Sequence, residues 1–285
     1  MTLTTRLILS DLDGTLLDDR LVLDPRDVAA AGTARAAGIR VGVATGRMYR
    51  SGLPHALGLG ANVPLICYQG ALIKELPPED DPGADPDRAA VLYQRAVPGE
   101  LSLEILELCR RRGYSVNVFQ NDHLYVDEIN QDVLFYLRTA QVEAEVATDP
   151  PLEVRLSQGS TKLTVVAADP DRFTAALGEL RELVGDRCEV TRSLVGFCEI
   201  TARDVNKGHA LRWLCRHLGF HPSEVVALGD APNDGPLLAA AGTKVAVETA
   251  VPEVLAMADW VVPGPGGGGL AELVRRVLAG PAPSQ

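Results

Sequence analysis

The fold of this chain is decided by the stretch Leu7-Ile8-Leu9-Ser10-Asp11-Leu12-Asp13-Gly14-Thr15-Leu16-Leu17. It begins as an apolar run and then presents two carboxylates two residues apart, followed by a glycine that lets the backbone turn sharply. Aspartate is depleted in strands and an unpaired buried carboxylate is costly, so Asp11 and Asp13 do not suit a strand interior. The pattern predicts a ligand site at the carboxyl end of a buried parallel strand, where open α/β sheets bind ligands. The alternative is an ordinary Asp-Gly turn.

Short apolar runs alternate with helical patterns after this stretch. Strands are predicted at 39–44 and 63–68, and the same rhythm returns after Thr201 with strands at 225–228, 243–247 and 260–262. Strand-helix alternation of this kind is typical of a doubly wound parallel sheet.

The middle of the chain has a different pattern. After the Pro- and Asp-rich segment 77–87, and beyond Pro98, helices occur with paired strands, which favours a separate α+β layer. We therefore predict an α/β fold with a Rossmann-like, doubly wound parallel core, built from residues 1–96 and 201–285. Residues 97–200 are predicted to form an inserted α+β domain.

Composition narrows the class of protein. The chain has 285 residues, 46% of them hydrophobic, and a net charge of -11, which argues against a nucleic-acid partner because such proteins carry basic patches. No apolar run is long enough to span a membrane, and the first run is too short for a signal peptide because Asp11 interrupts it. The five scattered cysteines lack a C-x-x-C pair, which favours reduced thiols and a cytoplasmic location over a zinc site. The sequence does not predict an oligomeric state.

Polar residues follow the predicted core strands or begin the predicted core helices at four places. Besides the Asp-Gly turn already mentioned, the ordinary alternatives are a turn at Thr45, a solvated lysine at Lys207, and capping of the next helix by Asp230. The four groups are Asp11 with Asp13; Thr45 with Gly46 and Arg47; Lys207 with Gly208; and Asp230 with Asn233 and Asp234.

Taken together, the four groups match one reaction, phosphoryl transfer from a monoester to a carboxylate. Nucleophile and phosphate are both anionic, and Mg²⁺ bridging their oxygens relieves the repulsion. Asp11 and Asp230 can supply carboxylates for that ion, and Asp13 a backbone carbonyl. A second carboxylic acid near the nucleophile can protonate the leaving alkoxide and later take a proton from water.

The phosphoryl oxygens also need hydrogen-bond donors. The Thr45 hydroxyl, the N–H groups beside Gly46 and the Lys207 ammonium are the candidates. Asp234 is predicted to orient Lys207 or a metal-bound water from outside the ligand set.

The motifs Asp11-Leu12-Asp13-Gly14-Thr15, Ala44-Thr45-Gly46-Arg47, Asn206-Lys207-Gly208 and Gly229-Asp230-Ala231-Pro232-Asn233-Asp234 resemble, in this order, those of haloacid dehalogenase (HAD) superfamily phosphatases. The position of the insert resembles the Cof-type branch (subfamily IIB), in which it forms a cap domain. The resemblance implies that Asp11 is the nucleophile and Asp13 the acid/base. It also implies that Asp11, Asp13 and Asp230 hold Mg²⁺, and that Thr45, Lys207 and Asn233 lie at the phosphate; Gly46 and Arg47 complete the predicted substrate site.

Two positions depart from the family pattern. Gln69-Gly70-Ala71 stands where the branch usually has Asn-Gly-Ala, which puts a backbone-positioning or substrate contact in doubt. Pro232 lies inside the fourth motif, where a proline near a helix start is tolerated.

The predicted function is Mg²⁺-dependent hydrolysis of a small phosphorylated metabolite, such as a sugar phosphate or a phosphorylated cofactor, through an aspartyl-phosphate. Asn117, Arg155 and Lys162 are the candidates for facing the phosphoester from the cap; for Lys162 a solvated position is the alternative. Three other functions remain open: a phosphomutase, a non-catalytic phosphosugar-binding regulator, and a receiver-like signalling domain, against which the insert and Asp13 argue.

Overall fold

The computed structural model describes residues 5–78, 80–192 and 196–280. Internal contacts divide the chain into two compact units, Met1–Leu92 with Asn206–Gln285, and Tyr93–Val205. The second unit is thus an insertion in the sequence of the first. Within the described ranges, no helix is both long and apolar enough to cross a membrane.

A five-stranded parallel sheet forms the centre of the first unit. Its order is β14-β13-β12-β1-β2, so the strand that precedes Asp11 is an interior strand, paired with β2 from the N-terminal part of the chain and β12 from the C-terminal part. The strands are β1 (Leu7–Ser10), β2 (Arg40–Val43), β12 (Val225–Gly229), β13 (Thr243–Val247) and β14 (Trp260–Val262).

The helices of this unit form two contacting groups. One group contains α1, α2 and α10, and the other contains α7, α8 and α9, as expected for helices on both faces of a doubly wound sheet. These helices are α1 (Pro25–Ala36), α2 (Tyr49–Leu59), α7 (Lys207–Leu218), α8 (Gly235–Ala240), α9 (Pro252–Met257) and α10 (Gly269–Ala279). The predicted α/β fold with a parallel sheet is confirmed.

A small three-stranded sheet, in the order β3-β4-β5, follows α2. It consists of β3 (Leu65–Cys67), β4 (Leu72–Lys74) and β5 (Val91–Gln94), the last of which runs across the boundary between the units. The sequence predicts only the first of these strands. Strands β4 and β5 are short, and the Pro-rich segment between them gives no indication that they pair.

The second unit is a mixed sheet with helices, as predicted for the insert. The sheet order is β10-β11-β9-β6-β7-β8, and its main apolar core includes residues of α3, α6 and the sheet. Its elements are α3 (Gly99–Arg112), β6 (Ser115–Gln120), β7 (His123–Val126), α4 (Gln131–Ala140), β8 (Glu145–Val146), α5 (Leu152–Leu156), β9 (Lys162–Val166), α6 (Pro170–Val184), β10 (Cys188–Arg192) and β11 (Phe197–Ala202).

Candidate active site

The predicted polar residues follow three neighbouring strands of the parallel sheet. Asp11 comes directly after β1, Thr45 follows β2, and Asp230 follows β12. The Asp11 N–H donates to the Leu228 carbonyl at 3.0 Å, which continues the ladder with β12 to the site. Because parallel strands place their carboxyl ends at one edge, side chains far apart in sequence meet there.

Lys207 lies at the centre of this edge and is fully buried. Its Nζ is 2.6 Å from Asp11 Oδ1 and 2.7 Å from Asp234 Oδ1. Burial lowers the pKa of Lys207, but the negative charges of Asp11 and Asp234 outweigh that effect and raise the pKa above its usual value. Lys207 therefore stays a cation between two carboxylates.

The first turn of α7 fixes the direction of this lysine. Asn206 caps the helix, since its Oδ1 accepts a hydrogen bond from the His209 N–H at 2.8 Å. Gly208 permits close packing, because a Cβ there would lie 2.1 Å from the Pro236 carbonyl oxygen. A larger residue at Gly208 would push α7, and Lys207 with it, away from the site.

Asp234 is a fully buried carboxylate that uses both of its oxygens. Oδ1 accepts from Lys207, and Oδ2 accepts from the N–H groups of Asp230 and Ala231, each at 3.1 Å. Its hydrogen bonds join Lys207 to the loop that carries Asp230.

Asp230 packs against the loop that follows Asp11. Its Oδ1 accepts a hydrogen bond from the Thr15 hydroxyl at 2.6 Å, and a Cβ on Gly14 would lie only 2.5 Å from Oδ2. Burial raises the pKa of Asp230 to about 6, with the Thr15 hydrogen bond opposing the rise and the charge of Asp234 adding to it. Burial also raises the pKa of Asp11, against the effect of Lys207.

These carboxylates fit a divalent cation. Asp11, Asp230 and Asp234 each offer an oxygen, and the three oxygens lie within 4.8 Å of one another. Carboxylates are the ligands that hard cations prefer. Burial raises the pKa of Asp11 and of Asp230, and a cation bound between them would stabilise their ionised forms. Since Asp234 already accepts hydrogen bonds on both oxygens, Asp11 and Asp230 are the better-placed ligands.

The Asp13 side chain is not part of that oxygen cluster. Arg47 holds it with two hydrogen bonds, Nε to Oδ2 at 2.8 Å and Nη2 to Oδ1 at 2.5 Å, and Arg47 Nη1 also donates to Ser51 Oγ. Asp13 is 47% exposed. Arg47 is predicted to contact the substrate, but in this structure its guanidinium pairs with Asp13, the proposed acid/base.

The Thr45 loop is joined to the turn after β3. Thr45 is fully buried, and its Oγ1 accepts from the Arg47 N–H at 3.1 Å. Its carbonyl accepts from the Gln69 N–H at 3.1 Å. The Gln69 side chain in turn accepts a hydrogen bond from Asn233 Nδ2 at 3.0 Å, so the second and fourth motifs are connected through one residue.

Comparison with known proteins identifies the family. The family model of haloacid dehalogenase-like hydrolases matches residues 8–274. The chain belongs to this family of hydrolases.

Its relatives match over nearly their whole length. Phosphoglycolate phosphatase of Methanopyrus kandleri is 28% identical, with 96% of this chain and 97% of the relative covered. Phosphatase YwpJ of Bacillus subtilis is 27% identical, over 96% of this chain and all of the relative. The crystal structure of TM0651 from Thermotoga maritima has 28% identity and a TM-score of 0.82, over 96% of this chain and 97% of that one. The predicted identity as a Cof-type HAD phosphatase, a phosphoric monoester hydrolase, is confirmed.

Two residues of this HAD hydrolase have contacts that the sequence reasoning missed. Thr15 holds Asp230, and Gln69 holds Asn233. Thr15 stands inside the first motif, and Gln69 stands where the chain departs from the family pattern, so the sequence marks both positions. It does not indicate their partners, which are distant in sequence.

The three candidate residues of the inserted unit have different environments. Lys162 is buried and pairs with Glu199 at 2.7 Å, so a solvated position is wrong. Arg155 lies over the Tyr125 ring and donates to the Pro150 carbonyl. Asn117 is buried, and neither polar atom of its amide has a hydrogen-bond partner.

Proposed function

We propose that this HAD phosphatase is a Mg²⁺-dependent enzyme of the cytoplasm that hydrolyses small phosphomonoesters through an aspartyl-phosphate on Asp11. The observation that carries the proposal is the arrangement of Asp11, Lys207, Asp230 and Asp234 at one edge of the sheet, with Lys207 Nζ bonded to Asp11 Oδ1. Lys207 fixes the orientation of the Asp11 carboxylate, which prepares its other oxygen for attack.

In the first step, an Asp11 carboxylate oxygen forms a bond to phosphorus and the bond from phosphorus to the ester oxygen breaks. The ester oxygen leaves with the electron pair, and Asp13 supplies its proton. In the second step, water attacks the phosphorus of the aspartyl-phosphate and gives a proton to Asp13. The bond between phosphorus and Asp11 breaks, and inorganic phosphate leaves.

Asp11 and Asp230, with the Asp13 backbone, would hold Mg²⁺, which when bound supplies positive charge between the two anionic reactants. Lys207 and the Thr45 hydroxyl stabilise the negative charge on the phosphoryl oxygens. Asp234 keeps Lys207 charged and in place.

Arg47 controls the position of Asp13 before the substrate binds. Its two hydrogen bonds fix the direction of the Asp13 carboxylate, which accepts a proton from water in the second step. For the first step Asp13 must be protonated, so the reaction requires Arg47 to release it, and the incoming phosphate is a natural new partner for the guanidinium.

A small substrate is supported by the relatives. The one from Methanopyrus kandleri is named for phosphoglycolate, and one from Yersinia pestis for HMP-PP. We propose that the inserted unit, 97–200 by sequence, acts as the cap that selects among such substrates.

The nucleophile is tested by the change Asp11→Asn. We expect release of inorganic phosphate from p-nitrophenyl phosphate with Mg²⁺ to fall by at least about 10³-fold, since an amide does not attack phosphorus as a carboxylate does. Asp171→Asn, an exposed change of the same type in the first turn of α6, is the matched control and keeps full activity. Full activity of Asp11→Asn would end the assignment. With a sugar phosphate as the substrate, conversion to its phosphorylated isomer without release of inorganic phosphate would favour a mutase.

A further inference from the structure

We propose that Gln69 is a positioning residue for phosphate binding, acting by holding the amide of Asn233 beside the Gly46 loop. The inference rests on the proposed phosphatase function and assigns a role that neither the motifs nor the family match supplies.

The turn that carries Gln69 has an uncommon backbone. Tyr68, Gln69 and Gly70 have φ values of 50°, 59° and 100°, three left-handed residues in succession, of which two have side chains. Residues other than glycine rarely adopt this conformation, and such strain persists only where the surroundings enforce it, which is often at functional sites.

Hydrogen bonds and close packing enforce this turn from two sides. The Tyr68 N–H donates to the Arg47 carbonyl at 3.0 Å, and the Gln69 N–H donates to the Thr45 carbonyl at 3.1 Å. A Cβ on Gly70 would lie 2.5 Å from the Asn206 carbonyl oxygen, next to the start of the helix that carries Lys207. The turn is therefore fixed against the second and third motifs at once.

The Gln69 side chain extends this connection to the fourth motif. Its Oε1 accepts from Asn233 Nδ2 at 3.0 Å. Its Nε2 lies so close to Gly46 that a Cβ there would be 2.4 Å away. One neutral carboxamide thus spans the distance between Gly46, whose neighbouring N–H groups are predicted to bind phosphate, and Asn233.

A neutral amide suits this position better than a charged group. A carboxylate would repel the incoming phosphate, and a cation could not accept the hydrogen bond from Asn233 Nδ2. By occupying one hydrogen of Asn233 Nδ2, Gln69 fixes the direction in which the second hydrogen is presented to a phosphate oxygen.

The test compares Gln69→Ala and Gln69→Asn with Asn233→Ala and the double variant Gln69→Ala/Asn233→Ala. The probe is inorganic phosphate, measured as a competitive inhibitor of p-nitrophenyl phosphate hydrolysis and by calorimetric titration of the Mg²⁺-loaded protein. We expect Gln69→Ala to weaken phosphate binding about tenfold and to raise KM by a similar factor, with a smaller change in kcat. Because both residues act through one amide, the double variant binds phosphate no more weakly than Asn233→Ala alone.

Gln69→Asn separates side-chain reach from backbone strain. Asparagine tolerates the left-handed conformation better than glutamine, so its thermal stability is maintained or raised, but it is one methylene shorter and loses the contact with Asn233. Weakened phosphate binding in a variant of undiminished stability supports positioning. Wild-type phosphate binding in Gln69→Ala or Gln69→Asn, or additive losses in the double variant, would overturn it. If the wild type releases no phosphate from any monoester, the proposed function fails instead.

Discussion

Lys207 is the residue on which the electrostatics of the site depend. It is a fully buried cation bonded to two carboxylates, and Asp230 adds a third negative charge nearby. Removing one partner of a buried ion pair is far more costly than the pair is worth, because the remaining charges stay buried and uncompensated.

Lys207→Met should therefore destabilise the metal-free protein by about 3–5 kcal/mol, measured by urea unfolding. Added Mg²⁺ should restore part of that loss, since it replaces positive charge between Asp11 and Asp230. The control is Lys244→Met in β13, a half-exposed lysine, which we expect to change the free energy of unfolding by no more than about 0.5 kcal/mol. A loss below about 1 kcal/mol in Lys207→Met would contradict the electrostatic account.

Asp230 makes metal binding dependent on pH. Its pKa in the folded protein is about 6, above the usual 3.8, so its ionisation opposes folding. In the metal-free protein, the contribution of Asp230 to stability is complete below about pH 4 and is lost as pH rises through about 6.

Mg²⁺ needs the ionised carboxylate and competes with that proton. We expect the rise in melting temperature at a fixed Mg²⁺ concentration to be large at pH 7.5 and to decline with a midpoint near pH 6. Thr15→Val, which removes the hydrogen bond that lowers the pKa of Asp230, should move this midpoint upward. A rise in melting temperature that is the same at pH 5 and pH 7.5 would exclude Asp230 as a ligand.

At the scale of elements, the inserted unit contains its own buried ion pair, Lys162 on β9 with Glu199 on β11. Burial lowers the pKa of Lys162, and the charge of Glu199 contributes to more than reversing that effect, so Lys162 stays a cation in the interior. The two strands are neighbours in the sheet, and the ion pair connects them. The Lys162 ammonium also lies over the ring of Phe119, which contacts Tyr136 of α4.

Lys162→Met should destabilise the protein by about 3–5 kcal/mol, whereas Lys162→Met/Glu199→Leu should recover most of the loss, because no charge is then left unpaired. Guanidinium unfolding measures both. Asn233 and Gln69 are untouched, so phosphate binding serves as the control and should not change. If the double variant is as unstable as the single one, the unpaired charge of Glu199 is not the cause of the loss in Lys162→Met, and this explanation is wrong.

The core elements are the part that sequence predicts well. Strands β1, β2, β12, β13 and β14 are apolar runs bounded by turn residues, and their helices begin at capping residues such as Asp24 and Asn206. Strands β4 and β5, strand β8 and helix α5 were missed, because each is short and its pairing depends on tertiary contacts rather than on periodicity.

The same distinction holds for the site: the sequence identifies residues within motifs, but not the contacts between residues that are far apart in the chain. Asp11, Lys207, Asp230 and Asp234 stand in motifs of distinct spacing, so sequence names them and predicts that they meet. The partners of Thr15 and Gln69 lie 215 and 164 residues away, and only the folded chain shows which polar groups meet. The ion pair between Arg47 and Asp13 was missed for the same reason.

At the scale of the whole molecule, the site is assembled from both ends of the chain. Strand β1 lies between β2 and β12, so Asp11 and its charged partners meet only when residues separated by the entire insert fold into one sheet. The central claim is that this assembly lets Asp11 form a covalent bond to phosphorus.

The most direct test is to trap the phosphorylated enzyme. Asp13→Asn is the suitable variant, because an aryl phosphate leaves without an acid whereas the second step still needs Asp13 to activate water. After an acid quench during turnover of p-nitrophenyl phosphate, mass spectrometry of the tryptic peptide Leu7–Arg20 should show one added phosphoryl group, located on Asp11 and removed by hydroxylamine. Steady release of phosphate by the wild type, with no phosphoryl group on this peptide in the variant or with the group on another residue, would contradict the account.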